Sequence, residues 1–376
     1  VADETDKEQS ENERSGARSK RTKHDQPWQQ NFSCMQKHDG KDKSQNPNSR
    51  TIEILQQMLE YYDRTNDHWR TIAYRKAISA LRKHHSKVIT KEEASRIPFI
   101  GPRLAAKIEE IVLTDRLKRL DNTSLEPNDL ILQKFLGIYG VGLAQATKWI
   151  NQGHRTLSDL VSKAQLSKNQ LIGIQHYDDF QTRIARQEVE SHGEFLRTVI
   201  HRVDPTIQVT IGGSYRRGAS DSGDIDFIIT KPNCSIRALH AIIFDTILPI
   251  LQQRGYVKAS LAVSSKDDGS KWHGAATLPD FGPVWRRVDM LLVPWDEMGA
   301  ALIYFTGNDI FNRSMRLLAR KKGMRLNQHG LWRDAMGGAR SGGGRSTQGT
   351  LVEGKTEERI FELLGVPYRP PEHRIC

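Results

Sequence analysis

The sequence predicts a multidomain chain whose first half is all-α and whose second half is α+β. Two observations carry this. Apolar residues recur at helical spacing from Thr51 to about His201. Beyond that point the pattern changes to strict alternation, as in Ile207, Val209 and Ile211 and again in Ile225, Phe227 and Ile229. The first pattern marks one face of a helix and the second one face of a strand. Helices followed by mixed strands and helices give an α+β architecture with more than one core. At 376 residues the chain exceeds one average domain.

Residues 1–50 are polar, with Trp28, Phe32 and Met35 as the main apolar anchors, so a disordered leader is expected. The chain does not begin with Met and reads as a fragment that lacks an upstream domain. Ile52, Leu55, Leu59 and Tyr62 form one helical stripe, and Ile72, Ala73, Ala77, Ala80 and Leu81 a second. Thr90 with Glu93 and Ser167 with Gln170 have capping-box spacing. Residues 97–108 and 137–150 share a turn, a glycine and an Ala-rich helix, the form of a helix-hairpin-helix element. Gly140 and Gly142 in the second copy, and Gly101 in the first, would expose backbone N–H groups at a helix N-terminus. A DNA phosphate can dock there without regard to base. Phe99 replaces a glycine in the first copy, where a positive-φ turn is expected to resist it. Two ordinary helical connections are the bland alternative.

Composition sets further bounds. The chain carries 56 Lys and Arg against 45 Asp and Glu, a net +11, and residues 51–120 hold 14 against 9. A phosphate-rich partner is favoured. No apolar run approaches the roughly 20 residues that span a bilayer, and the N-terminus has no secretory h-region, so a soluble intracellular protein without a membrane partner is expected. Three scattered cysteines support neither disulfides nor a zinc site.

The chemistry concentrates in residues 211–230. Gly212, Gly213 and Ser214 follow a strand and supply a turn able to hold phosphate oxygens, and Arg217 adds charge. Asp224 and Asp226 lie two apart on a strand, so both carboxylates face one side while Ile225, Phe227 and Ile229 face the core. Two aligned carboxylates beside a phosphate cradle call for a cation, and Mg²⁺ matches hard oxygen ligands of this kind. The alternative is a solvated acidic turn. Asp289 stands in a third alternating run, opposite in facing to Val288, Met290 and Leu292, and would supply the carboxylate that a two-metal site needs beyond the pair.

The Gly-Gly-Ser…Gly-Asp-Ile-Asp stretch, then Arg286-Arg287-Val288-Asp289, then residues 304–313 (YFTGNDIFNR), together resemble the X family of DNA polymerases over residues 51–376. The resemblance implies a helical lyase-like domain at 51–121 and a helical DNA-binding subdomain at 122–202. It further implies a nucleotidyltransferase palm at 203–296 and a thumb-like, nucleotide-selecting subdomain at 297–376, and it leaves out the leader at 1–50. Ser214, Arg217, Gly213 and Gly223 would bind the triphosphate, reached also by Arg186. Tyr304, Phe305 and Gly307 would line the sugar pocket, Asp309 would lie over the base and Asn312 would read its minor-groove edge. Arg316 would contact the template strand and Arg287 would position the primer end. Lys107 would be the Schiff-base nucleophile of a 5′-deoxyribose-phosphate lyase, with Arg70, Arg103 and His68 beside it and Trp69 and Tyr74 walling its phosphate pocket. Ala106 departs from the Glu common before that lysine.

Two Mg²⁺, replaceable by Mn²⁺, and a monovalent cation at the hairpin turns are the implied cofactors. Gapped or broken duplex DNA, dNTPs and repair or end-joining factors are the implied partners, for a monomer in the nucleus. An RNA-tailing transferase shares the Asp pair, and a non-catalytic DNA-end scaffold is the alternative from another class. The short segment 264–271 resembles templated gap fillers more than template-independent enzymes. The Gly-rich segment 333–350 reads as a flexible insertion.

Overall fold

A computed structural model of the chain describes residues 29–30, 32–35, 46–65, 67–124, 127–263, 270–333 and 349–374. Segment 264–269 and most of the Gly-rich segment lie outside the described residues.

The first helical unit is built from four helices: α1 (Ser49–Arg64), α2 (His68–Arg82), α3 (Lys91–Ser95) and α4 (Pro102–Thr114). The stripe of Ile52, Leu55 and Met58 on α1 meets Ala77, Ile78 and Leu81 of α2, and Leu104, Ala105 and Ile108 of α4 close the core. Asp67 caps α2, accepting from the Arg70 N–H, and Thr90 with Glu93 forms the expected capping box of α3. A second helical unit follows, with helices Pro127–Leu136 and Leu143–Asn151 packed around Phe135, Ile138 and Trp149. Ser167 and Gln170 make the other expected capping box, and Thr156 with Asp159 makes a third that spacing had not singled out.

Strand β1 (Ile184–Ala185) leads directly into the helix Arg186–Val203. That helix buries Val189, Leu196, Val199 and Ile200 with the strand residues Ile211, Ile225 and Phe227, so by packing it belongs with the sheet that follows it. The next strands are β2 (Gln208–Ile211), β3 (Asp221–Ser222), β4 (Ile225–Thr230), β5 (Val257–Val263), β6 (Lys271–Ala276) and β7 (Arg286–Leu292). Five of them form one sheet in the order β2-β4-β7-β6-β5. Only the β4–β7 pair is parallel within it, which requires the chain to cross over between them. One face of the sheet is covered by the helix Arg186–Val203 and residues 236–253, around Val288, Met290 and Leu292. On the other face Ile228, Leu291 and Val293 pack against Ala301 of the helix Met298–Thr306.

The C-terminal body holds helix Asp309–Lys321, a three-stranded antiparallel sheet and helix Glu357–Leu364. The sheet runs β10-β9-β8, from β8 (Met324–Asn327), β9 (Gly330–Arg333) and β10 (Thr350–Glu353). The leader expected at 1–50 requires correction in its described parts. Cys34 and Met35 are buried in this C-terminal core beside Phe311, Met315 and Phe361, and α1 begins at Ser49. The Cys34 N–H donates to Ser314 Oγ at 3.1 Å, and Arg369 donates to the Met35 carbonyl at 2.9 Å. Two sparse apolar anchors suffice because the neighbouring surface already offers an apolar hollow and a buried cation in need of an acceptor.

Candidate active site

Gly212 ends β2 where its N–H donates to the Asp226 carbonyl at 2.8 Å, and the chain then turns into the short helix Gly213–Arg216. Gly213 has φ of 55°, and a Cβ placed there would lie 2.1 Å from Asp226 Oδ2. No other residue allows the turn to pass so close to the carboxylate. Ser214 Oγ donates to Ser222 Oγ at 2.8 Å. Gly223 allows the Arg183 guanidinium to approach, 3.0 Å from where its Cβ would stand.

The three acidic residues come together through the parallel pair. Asp226 on β4 and Asp289 on β7 are register partners, and Asp224 lies two residues before Asp226 on the same side. Burial, with the charges of Asp224 and Asp289 behind it, pushes the Asp226 carboxyl up to about 7. Burial also raises Asp224, although the Arg287 guanidinium, which donates to its Oδ2 at 3.0 Å, opposes that rise. Asp289 is held at 2.8 Å by Nδ1 of His273, its register partner on β6. Among the described residues, no three acidic, His or Cys side chains form a closed metal-ligand set. Arg287 and His273 engage carboxylate oxygens that a cation would take. The donor set nevertheless fits divalent ions: three carboxylates share one face of the sheet, and burial together with their crowding raises the proton affinity of Asp226, which a hard cation would relieve.

Around these carboxylates stand the other expected nucleotide contacts. Arg217 donates to the Thr306 carbonyl, and its side chain lies 3.3 Å from where a Cβ on Gly307 would be. Arg186 donates to the Tyr215 carbonyl at 2.7 Å and stacks over the Tyr215 ring at 3.9 Å. Tyr304 and Phe305 rings lie 4.7 Å apart, with the exposed Arg316 guanidinium 5.2 Å from the Tyr304 ring. Asp309 pairs on its own helix with Arg313 at 2.8 Å and points to solvent. Asn312 is buried: its amide donates to the Tyr304 carbonyl at 2.7 Å, while its Oδ1 has no partner. For Asn312 to reach a base edge, that bond to Tyr304 must give way.

Lys107 lies elsewhere, on α4, with its ammonium donating to the Tyr74 hydroxyl at 2.8 Å. Burial, then the charges of Arg119 and Arg70, lower its pKa. Arg103 and His68, the other expected neighbours, are not among those charges. Arg103 is exposed on the first turn of α4. Arg119 was missed because nothing in its local sequence sets it apart. Tyr74 is buried and supports the lysine from below, whereas Trp69 is almost wholly exposed beside Arg70, itself paired with Asp67 at 2.6 Å.

Both hairpins present glycine at the helix N-cap: Gly101 before α4 and Gly142 before the helix Leu143–Asn151. A Cβ at Gly101, Gly140 or Gly142 would meet no protein atom within 4 Å. Gly140 is explained by its φ of 76°, but for Gly101 and Gly142 the free protein gives no steric reason, while close approach of a phosphate would.

This fold and site define a palm of the nucleotidyltransferase type, with flanking helical and C-terminal units. The palm of DNA polymerase beta matches residues 183–295, its thumb matches 301–375, the fingers domain of DNA polymerase lambda matches 133–181 and a helix-hairpin-helix domain matches 46–117. The chain belongs to the X family of DNA polymerases. Within that family it is 38% identical over 88% of its length to DNA polymerase lambda of Rattus norvegicus, and 31% over 87% to DNA polymerase lambda of Arabidopsis thaliana. It is 27% identical over 87% of its length to DNA polymerase IV of Saccharomyces cerevisiae. The chain spans 57%, 62% and 66% of those three relatives.

Proposed function

We propose that the chain is a DNA-directed DNA polymerase that fills short gaps in duplex DNA during base-excision repair or end joining. The observation that carries this reading is the carboxylate trio of Asp224, Asp226 and Asp289 on one face of the sheet, beside the Gly213 turn. These three residues would hold two Mg²⁺, or Mn²⁺ in their place. When bound, such ions supply Lewis acidity toward the primer 3′-hydroxyl and the triphosphate. Ser214, Gly213, Gly223, Arg217 and Arg186 offer donors for the phosphate oxygens. Tyr304, Phe305 and Gly307 border the sugar, where the Tyr304 ring resists a 2′-hydroxyl, and Asp309 flanks the base. Asn312 and Arg316 test pair shape from the minor groove, whose acceptors are nearly alike in all correct pairs. Arg287 releases Asp224 to place the primer end. Gly101, Gly140 and Gly142 dock backbone phosphates, with a monovalent cation at the turns. A monomer acting in the nucleus with repair or end-joining factors completes the reading. No helix among the described residues is long and apolar enough to cross a membrane.

Asp289→Ala and Asp226→Ala are expected to abolish primer extension on a one-nucleotide gap while gapped-DNA affinity stays within a few-fold. Extension that survives both substitutions overturns the assignment. An RNA-tailing transferase would prefer rNTPs on the same substrate, and a scaffold would extend nothing.

A lyase activity is supported by a separate observation, the half-buried Lys107 amine against Tyr74. A lowered pKa leaves more neutral amine to attack the sugar aldehyde. Lys107→Ala is expected to prevent borohydride trapping of the protein on a 5′-deoxyribose-phosphate end. Trapping at the wild-type level would remove the lysine from that role.

A further inference from the structure

Strand β6 carries a polar ring in the middle of the central sheet that the packing of the core does not use. Trp272 turns into the core, where its ring lies across Gly274, so that a Cβ there would come within 2.0 Å of it. His273, between them, faces the other way, because successive side chains on a strand alternate. That is the face of the carboxylates. His273 is the register partner of Asp289, and Asp289 that of Asp226, on the neighbouring strands β6, β7 and β4. The imidazole is partly exposed there.

The three side chains form a row across the sheet. Neighbouring strands stand about 4.8 Å apart, so Asp289 has Asp226 on one side and His273 on the other. His273 Nδ1 lies 2.8 Å from Asp289 Oδ1. An ionised carboxylate only accepts, so the ring nitrogen is the donor. Arg287 gives its carboxylate contact to Asp224 instead, at 3.0 Å. Among the described residues, the imidazole is therefore the group that holds the Asp289 carboxylate, and it holds it by one oxygen.

We propose that His273 is a positioning residue that keeps Asp289 a one-oxygen ligand: the imidazole withholds Oδ1, and Oδ2 alone is offered to a cation shared with Asp226. The inference rests on the carboxylate-trio reading given above and adds a selectivity to it. A carboxylate free to turn can present both oxygens, a mode that Ca²⁺ accepts within its larger and looser ligand sets. Mg²⁺ demands short bonds in near-ideal octahedral order, which a single fixed oxygen suits better. A donor behind a ligand also settles its orientation before the ion arrives. Direct ligation by the ring is disfavoured by the order of the row, because Asp289 stands between the imidazole and Asp226.

The test uses the full chain on a gapped duplex whose primer ends in a dideoxynucleotide, with the matching dNTP, so that nothing turns over. Mn²⁺, which shares the octahedral oxygen preference, is titrated in and its free concentration read by electron paramagnetic resonance. The ion that disappears in Asp289→Ala defines the site. His273→Leu is expected to weaken that ion about 10- to 100-fold, the range for losing a group that orients a metal ligand. His273→Asn, whose amide can donate from near the place of Nδ1, is expected to restore most of the affinity. The Ca²⁺ concentration that displaces half of the bound Mn²⁺ is expected to fall in His273→Leu by a comparable factor, a change that mere loosening of the fold would not produce. With an extendable primer and Mg²⁺, kcat is expected to fall while KM for the dNTP holds. Wild-type Mn²⁺ affinity and Ca²⁺ competition in His273→Leu overturn the proposal and leave the carboxylate site standing. Equal losses in His273→Asn and His273→Leu overturn it as well. A nitrogen hyperfine coupling of a directly bound imidazole does the same, by placing the ring on the ion. Retention of every ion in Asp289→Ala removes the site itself, and the proposal with it.

Discussion

His192 lies wholly buried under the central sheet, with Nδ1 2.9 Å from the Tyr256 hydroxyl and no partner at Nε2. Burial, helped by the Arg286 charge, depresses its pKa from 6.5 to about 3. Between those values the unfolded chain binds a proton that the folded chain refuses. The contribution to stability is therefore complete above pH 6.5 and is lost as pH falls toward 3. From pH 6.5 to 5, urea denaturation of wild type is expected to lose about 2 kcal/mol more than that of His192→Gln. Equal losses would mean the ring is protonated without penalty. His192 was not legible in the sequence, because nothing local distinguishes a buried histidine from a surface one. The opposite holds for Asp224 and Asp226, whose two-residue spacing fixes their common side before any partner is known. Asn312 falls between. Its place on the helix follows from the pattern, but its bond to the Tyr304 carbonyl depends on how two helices join.

At the scale of elements, the helix Glu357–Leu364 is joined to the central sheet's turn by charge. Glu357 is almost fully buried and receives Arg216 at 2.7 Å from the Gly213–Arg216 turn and Arg374 at 2.6 Å from the C-terminal segment. Arg374 is itself buried among the rings of Phe311, Phe361 and Tyr368. Burial alone would raise the Glu357 carboxyl, but hydrogen bonds from the two guanidinium groups hold it below its usual range. Glu357→Ala leaves two cations without their carboxylate, with only the Thr306 hydroxyl and the Arg369 carbonyl as remaining acceptors, and is expected to lower stability by about 3–5 kcal/mol, measured by chemical denaturation. A loss under about 1 kcal/mol would show that water replaces the carboxylate. Helix boundaries and capping boxes could be read locally because side chain and backbone partner lie within one turn. This triad could not, since Arg216 and Glu357 stand 141 residues apart in sequence and Arg374 a further 17 beyond. Phe99 marks another limit: the expectation that a positive-φ turn resists Phe is sound in energy, yet the fold holds it there.

For the whole molecule, the division into a helical half and an α+β half followed from periodicity alone. The N-terminal segment did not, because two anchors in a polar stretch have no period. Removing residues 1–45 would uncover the hollow filled by Cys34 and Met35 and leave Arg369 without the Met35 carbonyl. The C-terminal body of that truncated chain is expected to lose about 2–4 kcal/mol against denaturant. An unchanged midpoint would mean that the segment rests on the surface without contributing.

The parallel pairing of β4 with β7 has a consequence for how the protein comes into being. Asp226 and Asp289 share a register, yet the intervening chain must be synthesised, folded into its own helices and hairpin, and brought back beside β4 before they meet. A nascent chain that stalls within this crossover cannot juxtapose them. A chain that ends before β7 therefore lacks the register partner of Asp226 and cannot assemble the three carboxylates.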